Sequence, residues 1–197
     1  MIKRIFDIVF SCLGLILLAP VFVVLAIIIK LDSKGPILFI QARVGFNNQD
    51  FNIFKFRTMQ MESDKKGLLT LGNKDSRITK VGYFLRRYKI DEFPQLLNIV
   101  IGDMSFVGPR PELRKYVNYY PQEDLSVLSV RPGITGLASI EFRNEVELLK
   151  AAKDPETYFI ESIIPEKLKL NKLYIEKRSF WLDLKLIIIT IYRVLTK

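Results

Sequence analysis

The chain begins with an apolar run in which no residue of the segment Ile8–Ile29 carries a charge. At a rise of ~1.5 Å per residue, a helix of this length is roughly 33 Å long, which is enough to cross the hydrocarbon core of a bilayer. By length alone, the pattern predicts a transmembrane helix.

Two features of this apolar run favour a different path. Pro20 lies near its middle and removes a backbone hydrogen bond, so the helix is expected to kink there. The flanking segments "MIKR" and "KLDSK" are both basic, and the positive-inside bias therefore favours neither orientation. A helix that enters the bilayer and leaves on the same side would satisfy both observations, whereas length alone still favours a crossing helix.

The next segments alternate between apolar and polar positions. "GPILFIQARVG" and "DFNIFKFRTM" have the period of short strands, and "FNNQD" between them carries turn residues, so we expect a β-hairpin. The strand period would place Lys55 and Arg57 on one face and Phe54 and Phe56 on the other. The hairpin would then have a cationic face and a packed face.

After the hairpin, apolar residues recur at the spacing of a helix. The positions Ile78, Val81, Leu85 and Tyr88 recur at the spacing of one helix face, and "EFPQLLNIVIGDMS" predicts a second helix that begins near Asp91. We expect loops in "MESDKKGLLTLGNKDSR", "FVGPRPE" and "VRPGITGLASI", and helices in "NEVELLKAAK", "PEKLKLNKLYIEKRS" and "FWLDLKLIIITIYRVLTK". The last of these has too short an uncharged run to span a bilayer, so it is expected on the membrane surface or against the first helix. Together the elements predict a mostly helical α/β fold with a small β-hairpin.

Composition narrows the chemistry. The 197 residues include no histidine, which excludes the usual general base and the commonest nitrogen ligand of transition metals. The single cysteine, Cys12, excludes a disulfide framework and a multi-thiolate metal site. A formal net charge of +9 favours an anionic partner, which could be nucleic acid, an anionic membrane surface or a phosphorylated substrate. The mean hydropathy of +0.18 is high for a soluble protein and favours membrane contact.

Two adjacent carboxylates in "KIDEFPQLLN" are the main candidates for chemistry. Asp91 and Glu92 would suit the N-terminus of the helix that follows, where Asp is a favoured cap and Pro94 is tolerated. Alternatively, Asp91 could attack a phosphoryl group as a nucleophile, with a hard cation such as Mg²⁺ offsetting the repulsion between the anions. Residue spacing alone leaves both interpretations open.

Several arginines could bind phosphate, although solvated surface charge is the simpler interpretation for each of them. Arg110 differs because the prolines on either side fix its backbone, and a guanidinium group binds phosphate oxygens in a bidentate manner. The candidate cations are Lys55, Arg57, Arg110, Arg131 and Arg143.

A series of motifs appears in a fixed order along the chain. These are "KRIFD", an apolar segment interrupted by proline, "KFRTM", "DEFPQLLNIVIGDMSFVGPRPE", "VRPGITG" and "SFWLDLKLI". Together they closely resemble the bacterial sugar transferases known as monotopic phosphoglycosyl transferases, in the small form that consists of the catalytic domain alone. The resemblance runs from Lys3 to Thr196.

This resemblance implies a reaction and roles for the candidate residues. Members of the family transfer a phospho-sugar from a UDP-sugar to a polyprenol phosphate, usually undecaprenyl phosphate, and release UMP as the first membrane step of surface glycan synthesis. By resemblance, Asp91 is the nucleophile that forms an aspartyl phospho-sugar, and Glu92 assists as metal ligand or as base. Mg²⁺, or alternatively Mn²⁺, would be held by these two carboxylates. The family's cationic positions map onto Arg57, Arg110 and Arg143, which would contact phosphate, nucleotide or sugar. Lys55 and Arg131 are expected to contact the substrate from the residue pattern alone.

The resemblance also implies a topology. The first helix would be re-entrant, with its break at Ala19-Pro20, and would form an anchor over residues 1–33, while residues 34–197 would form a catalytic domain with interfacial amphipathic helices. Lys3, Arg4 and Asp7 would lie at the membrane interface. The expected location is the cytoplasmic face of the bacterial inner membrane, where membrane lipids would be partners and nucleic acid would not; a homodimer is left open.

The match weakens after "GITG", where this chain reads "LASIEFRNEVELLK". The identity of the sugar is therefore open, with an N-acetylated hexosamine preferred over galactose or glucose. The alternative function is a membrane-anchored basic module that binds anionic lipid or nucleic acid without catalysis, in which case Asp91 and Glu92 would only cap a helix.

Overall fold

The computed structural model describes residues 2–63 and 75–196, which form a mostly helical fold with two-stranded sheets. The predicted loop "MESDKKGLLTLGNKDSR" lies partly outside the described residues. The helices are α1 (Ile2–Asp32), α2 (Lys80–Arg87), α3 (Gln95–Ile101), α4 (Arg114–Val117), α5 (Leu137–Glu141), α6 (Glu145–Ala151), α7 (Pro155–Tyr158), α8 (Ile164–Lys177) and α9 (Phe180–Leu195). The strands are β1 (Leu38–Val44), β2 (Asp50–Phe56), β3 (Ser105–Val107) and β4 (Gly133–Thr135).

Helix α1 is continuous from Ile2 to Asp32 and contains Pro20. It is the helix, among the described residues, that is long and apolar enough to cross a membrane by length and composition. Most of its apolar side chains are exposed; Leu17, for example, is 75% exposed. Apolar surface of this extent fits association with a membrane.

The same helix packs along the rest of the fold over its whole length. Near its middle, a Cβ at Gly14 would lie 3.1 Å from Leu96 Cδ1 of α3, so the small residue permits close approach. Near its end, Ile29 is buried with Phe56 and Leu85. Helix α1 therefore contributes to the core as well as presenting an apolar surface.

The predicted hairpin is confirmed. Strands β1 and β2 pair in antiparallel register from Leu38 opposite Phe56 to Val44 opposite Asp50. The turn between them places Asn47 in the left-handed region, with φ of 53°. Asparagine tolerates this conformation better than most residues do, which explains why "FNNQD" forms the turn.

A second sheet was not expected from the sequence. Strand β3 begins at the last residue of the predicted helix "EFPQLLNIVIGDMS" and continues into the predicted loop "FVGPRPE". It pairs in parallel with β4, which lies in the predicted loop "VRPGITGLASI"; the end of that segment forms α5 instead of a loop. A Cβ at Gly133 would lie 2.1 Å from the backbone nitrogen of Gly108, so the pairing requires glycine at this crossing. The sheet fixes the start of the Pro-Arg-Pro loop, which carries Arg110, against the segment that carries Arg131.

The predicted helices α2, α6, α8 and α9 are confirmed. Helix α9 packs against the first helix, where the Phe6 and Phe180 rings meet edge to face with centroids 5.4 Å apart. Its outer side remains apolar and exposed at Trp181 and Tyr192. Aromatic groups of this kind suit a membrane interface.

The core offers a test of stability within one helix. Ile99 of α3 is fully buried beside Met104 and Leu96, whereas Ile101 of the same helix is 65% exposed. We expect Ile99→Ala to lower the free energy of unfolding by about 2–5 kcal/mol, because it removes buried methyl groups and leaves a cavity. Ile101→Ala should change that free energy by about 0.5 kcal/mol or less. Urea denaturation in detergent micelles measures both, and equal losses would contradict the packing described here.

Candidate active site

The carboxylates Asp91 and Glu92 lie in a 3₁₀ turn, Ile90–Glu92, between α2 and α3. The turn follows Lys89, which has a left-handed backbone with φ of 58°. A non-glycine residue in this region costs free energy and recurs at functional sites. The sequence predicted that a helix begins near Asp91, but α3 begins only at Gln95.

Glu92 is buried within an ion-paired group. Its Oε1 atom accepts hydrogen bonds from Arg110 Nη2 at 2.6 Å and from Lys55 Nζ at 3.2 Å. Burial alone would raise the pKa of Glu92, but Arg110 and Lys55 hold that pKa well below its usual range. Glu92 is therefore ionised and committed to these two cations.

Asp91 is buried too, yet it is not paired in the same way. Its Oδ1 atom has no hydrogen-bond partner among the residues that the structure describes. Burial, together with the neighbouring charge of Glu92, raises the pKa of Asp91. An orphaned carboxylate oxygen in a buried position is costly and calls for a ligand.

The structure does not support the capping interpretation. Helix α3 has Pro94 at its N-cap position and no side-chain hydrogen bond there. Glu92 is bound to Arg110 and Lys55, and Asp91 Oδ1 is bound to nothing in the described chain. Neither carboxylate is placed where it would satisfy the helix end.

Lys55 and Arg86 both lie near the carboxylate pair, and the sequence did not indicate Arg86. Burial lowers the pKa of Lys55 to about 8, with Glu92 opposing the shift. Arg86 of α2 is also desolvated, which lowers its pKa, and Asp91 opposes that effect. Arg86 and Lys89 both line the cavity whereas Arg87 does not, and nothing in the sequence distinguishes these neighbouring cations.

These groups line an open cavity of about 1810 Å³. Arg143 also lines it, and its guanidinium group has no hydrogen bond or ion pair among the described residues. Part of the wall is apolar and includes Leu18 of α1 and Ile191 of α9. The cavity therefore joins a cationic region around a free carboxylate oxygen to an apolar region formed by α1 and α9.

Two predicted substrate contacts are placed differently. Arg57 lies beyond the end of β2, lines the cavity, and donates to the carbonyl oxygens of Ser33 and Lys34 at 2.7 and 2.8 Å. Arg131 is exposed and does not line the cavity; its Nε donates to the Gly102 carbonyl at 2.7 Å. The structure thus brings Lys55 and Arg110 to the carboxylate pair but not Arg57 or Arg131.

The predicted anchor residues near the N-terminus all bind the folded domain. Lys3 Nζ donates to the Val107 carbonyl at 2.9 Å and pairs with Asp183 of α9. Arg4 Nη1 donates to the carbonyl of Ile99 at 2.7 Å. Asp7 is buried and accepts from the backbone nitrogen of Phe106 at 3.2 Å. Ala19 and Pro20 lie within α1.

The carboxylate oxygens at Asp91 suit an Mg²⁺ ion that takes its remaining ligands from a bound substrate and from water. Among the residues that the structure describes, no group of three or more His, Cys, Asp and Glu side chains could hold a metal ion alone. Mg²⁺ in phosphoryl-transfer sites usually takes one or two carboxylates and completes its shell with phosphate oxygens and water. The unpaired Oδ1 of Asp91, with Glu92 beside it, matches that requirement.

A free carboxylate oxygen among cations, in a cavity that reaches the long apolar helix α1, is typical of membrane proteins that bind phosphorylated ligands. The sequence model of the bacterial sugar transferase family matches residues 1–197. The chain belongs to that family.

Its relatives carry more specific names. The chain is 39% identical, over 97% of its length, to a UDP-glucose:undecaprenyl-phosphate glucose-1-phosphate transferase of Klebsiella pneumoniae, of which the match covers 39%. It is 37% identical, over 99% of its length, to a UDP-N-acetylgalactosamine-undecaprenyl-phosphate N-acetylgalactosaminephosphotransferase of Aeromonas hydrophila, of which 44% is covered. The uncharacterized sugar transferase EpsL of Bacillus subtilis is 36% identical, with 98% of this chain and 87% of that protein covered. The chain thus spans less than half of the two longer relatives.

Proposed function

We propose that this protein transfers a phospho-sugar from a UDP-sugar to a polyprenol phosphate, such as undecaprenyl phosphate, and releases UMP. The proposed location is the cytoplasmic face of the bacterial inner membrane, where the product would start a surface glycan. The observation that carries the proposal is the buried, unpaired Oδ1 of Asp91 beside the Glu92, Arg110 and Lys55 group. The names of the relatives support the substrate classes.

The proposed chemistry has two steps at one phosphorus atom. A carboxylate oxygen of Asp91 forms a bond to the sugar-bearing phosphorus of the UDP-sugar, while the bond from that phosphorus to the bridging oxygen breaks and UMP leaves with the electron pair. A phosphate oxygen of the lipid then attacks the same phosphorus, and the carboxylate of Asp91 is released. Bound Mg²⁺ would supply charge neutralisation between Asp91 and the diphosphate.

The cations around the pair would stabilise the transferring group. Glu92 holds Arg110 through both of its carboxylate oxygens, at 2.6 and 3.4 Å, which fixes the guanidinium plane. Arg86, Lys55 and Arg143 line the same cavity. Fixed positive groups in a desolvated site stabilise the charge that spreads over phosphoryl oxygens in the transition state.

The apolar part of the cavity wall would allow the polyprenol phosphate to reach the site. Leu18 of α1 and Ile191 of α9 belong to helices whose other side chains are largely exposed and apolar. A polyprenol chain could lie along these helices while its phosphate reaches the cationic region. A binding module for anionic lipid or nucleic acid would leave the buried, unpaired Oδ1 of Asp91 without a role, so no observation favours that alternative.

We propose that α1 is re-entrant. Its first residues bind α9 and the β3 segment, and its last turn packs on α2, where Asp32 accepts from the backbone nitrogen of Val81 at 3.1 Å. A helix that crossed the bilayer would carry its ends to opposite sides, away from a domain on one side. Contacts at both ends with the same folded domain support the re-entrant arrangement.

We expect both ends of α1 to react from the cytoplasmic side. Ile2 is 71% exposed and Leu31 is 83% exposed, so either position can carry a cysteine without removing a polar contact. In a Cys12→Ala background, Ile2→Cys and Leu31→Cys should both be labelled by a membrane-impermeant maleimide only after the cells are opened. Labelling of one position in intact spheroplasts would refute the re-entrant arrangement.

The assay for the proposed function combines the full chain with UDP-glucose or UDP-N-acetylgalactosamine and undecaprenyl phosphate in detergent. We expect release of UMP that depends on both substrates over many turnovers. If the folded protein releases no UMP from either UDP-glucose or UDP-N-acetylgalactosamine, the proposal is refuted.

A further inference from the structure

A second group of charged side chains lines the same cavity beyond Arg110. Lys167 of α8 lies 3.1 Å from Glu112 Oε1 and 2.5 Å from Glu145 Oε2 of α6. Arg43 of β1 lies 3.7 Å from the other oxygen of Glu112. Four separate parts of the fold therefore converge on one ion-paired cluster, which we call the Lys167 cluster (Arg43, Glu112, Glu145, Lys167).

This cluster is neither on the open surface nor sealed in the core. The side chains of Lys167 and Glu112 are each 11% exposed, and Glu145 is 25% exposed. All members line the cavity that contains Asp91. Buried ion pairs contribute little net stability compared with apolar packing, so their presence at a cavity wall favours a role in binding.

Two neighbouring polar side chains point to a ligand independently of the charges. Tyr116 is 2% exposed and lines the cavity, and its hydroxyl has no hydrogen-bond partner among the described residues. Asn171 of α8 is 8% exposed and lines the cavity as well. A buried tyrosine hydroxyl normally has a partner, so this one is positioned to bind a group that enters the cavity.

The position of the cluster relative to Asp91 suggests which group that is. Glu112 follows Arg110 by two residues, so their Cα atoms are at most about 7 Å apart. Arg110 is bound to Glu92, next to the nucleophile. In a UDP-sugar the sugar is bonded directly to the phosphate that Asp91 would attack, and it must therefore lie about one ring width from that phosphate.

We propose that Glu112, Glu145 and Lys167 form the subsite that binds the sugar hydroxyls of the UDP-sugar. This inference rests on the proposed function and assigns the sugar end of the substrate to residues outside the carboxylate pair. A sugar hydroxyl is both donor and acceptor, and a carboxylate beside an ammonium group offers it one partner of each kind. Lys167 and Glu145 belong to the segment after "GITG" where the resemblance to the family weakens, so this subsite would set the choice of sugar in this chain.

Binding can be measured without turnover. The probes are methylene-bridged UDP-glucose and UDP-N-acetylgalactosamine, whose diphosphates cannot be cleaved, and methylene-bridged UDP, which lacks the sugar. For the wild-type chain with Mg²⁺ in detergent, we expect one bridged UDP-sugar to bind roughly 10- to 100-fold more tightly than bridged UDP, as hydrogen bonds to charged groups predict. At least one monodeoxy form of that sugar should lose most of this advantage.

The variant for this test is the pair Glu145→Gln with Lys167→Met, which removes one charge of each sign and leaves Glu112 with Arg43. We expect its affinity for bridged UDP to be unchanged and its advantage for the bridged UDP-sugar to fall to about threefold or less. Lys172→Met is the matched control, because Lys172 lies on the same helix, pairs with Asp124, and does not line the cavity. It should keep the wild-type ratio.

Two results would overturn the subsite. One is a wild-type ratio near one with every monodeoxy form bound equally; the other is a paired variant that is folded and keeps the wild-type ratio. If the paired variant does not fold, the single variant Glu145→Gln, which keeps the size of the side chain, replaces it and should lose the same advantage. Failure of the proposed function would be distinct, because it would appear as absence of UMP release from the natural substrates whatever the binding ratio.

Discussion

Asp91→Asn should abolish turnover, with UMP release from a UDP-sugar and polyprenol phosphate falling by roughly 10³-fold or more, as for loss of a covalent nucleophile. The substitution keeps the size of the side chain and its ability to accept a hydrogen bond, but removes the anionic oxygen. Because Asp91 Oδ1 has no partner in the described chain, its replacement breaks no contact that the fold requires. Initial rates of UMP formation, with circular dichroism to confirm folding, measure the effect.

The same carboxylate should be detectable as an intermediate. Wild-type protein incubated with UDP-sugar alone is expected to release up to about one equivalent of UMP and to gain the mass of a phospho-sugar, which peptide mapping should place on Asp91. Asp50→Asn is the control, because Asp50 is exposed, pairs with Arg114 outside the cavity, and should leave both readouts unchanged. Folded Asp91→Asn protein that turns over at the wild-type rate would refute the nucleophile assignment.

Removal of divalent cations is expected to stop the reaction. Two adjacent carboxylates and a diphosphate repel one another strongly, and Arg110 and Lys55 are already paired with Glu92, so we expect a divalent cation to supply counter-charge between Asp91 and the diphosphate. Excess EDTA should therefore lower the rate of UMP release to the level without enzyme, and added Mg²⁺ or Mn²⁺ should restore it. Full turnover in EDTA, after prior dialysis against the chelator, would refute the metal requirement.

Zn²⁺ gives a useful contrast in the same experiment. The chain has no histidine, and its single cysteine lies in α1, so the ligands that zinc prefers are absent from the candidate site. We expect Zn²⁺ to restore less activity than Mg²⁺ at equal free concentration, measured with a metal buffer.

The elements predicted best were those with a clear period. The hairpin and the helices α2, α8 and α9 follow apolar spacing that depends only on neighbours in the sequence. Strands β3 and β4 were missed because three residues are too few to show a period, and because their pairing joins segments far apart in the chain. The turn at Ile90–Glu92 was taken for a helix start because its composition suits both.

The sequence indicates which kinds of residue form the site better than it indicates which individual residues do so. The carboxylate pair and Arg110 stand out because of their neighbours, and the structure places them together. Arg57 and Arg131 were also candidates by residue type, but their guanidinium groups donate to backbone carbonyl oxygens. Arg86 was missed because only tertiary packing distinguishes an inward-facing arginine from its exposed neighbours.

The contacts of α1 have a consequence for anyone who wishes to make a water-soluble form of this protein. Cutting the chain after residue 33 would remove Ile29 from the core around Phe56 and Leu85 and would leave Asp183 without Lys3. A truncated protein should therefore precipitate or lose its fold rather than yield a free enzyme. Solubility has to come from polar substitutions at outward positions of the intact helix, such as Ile16 and Leu17, which are 71% and 75% exposed.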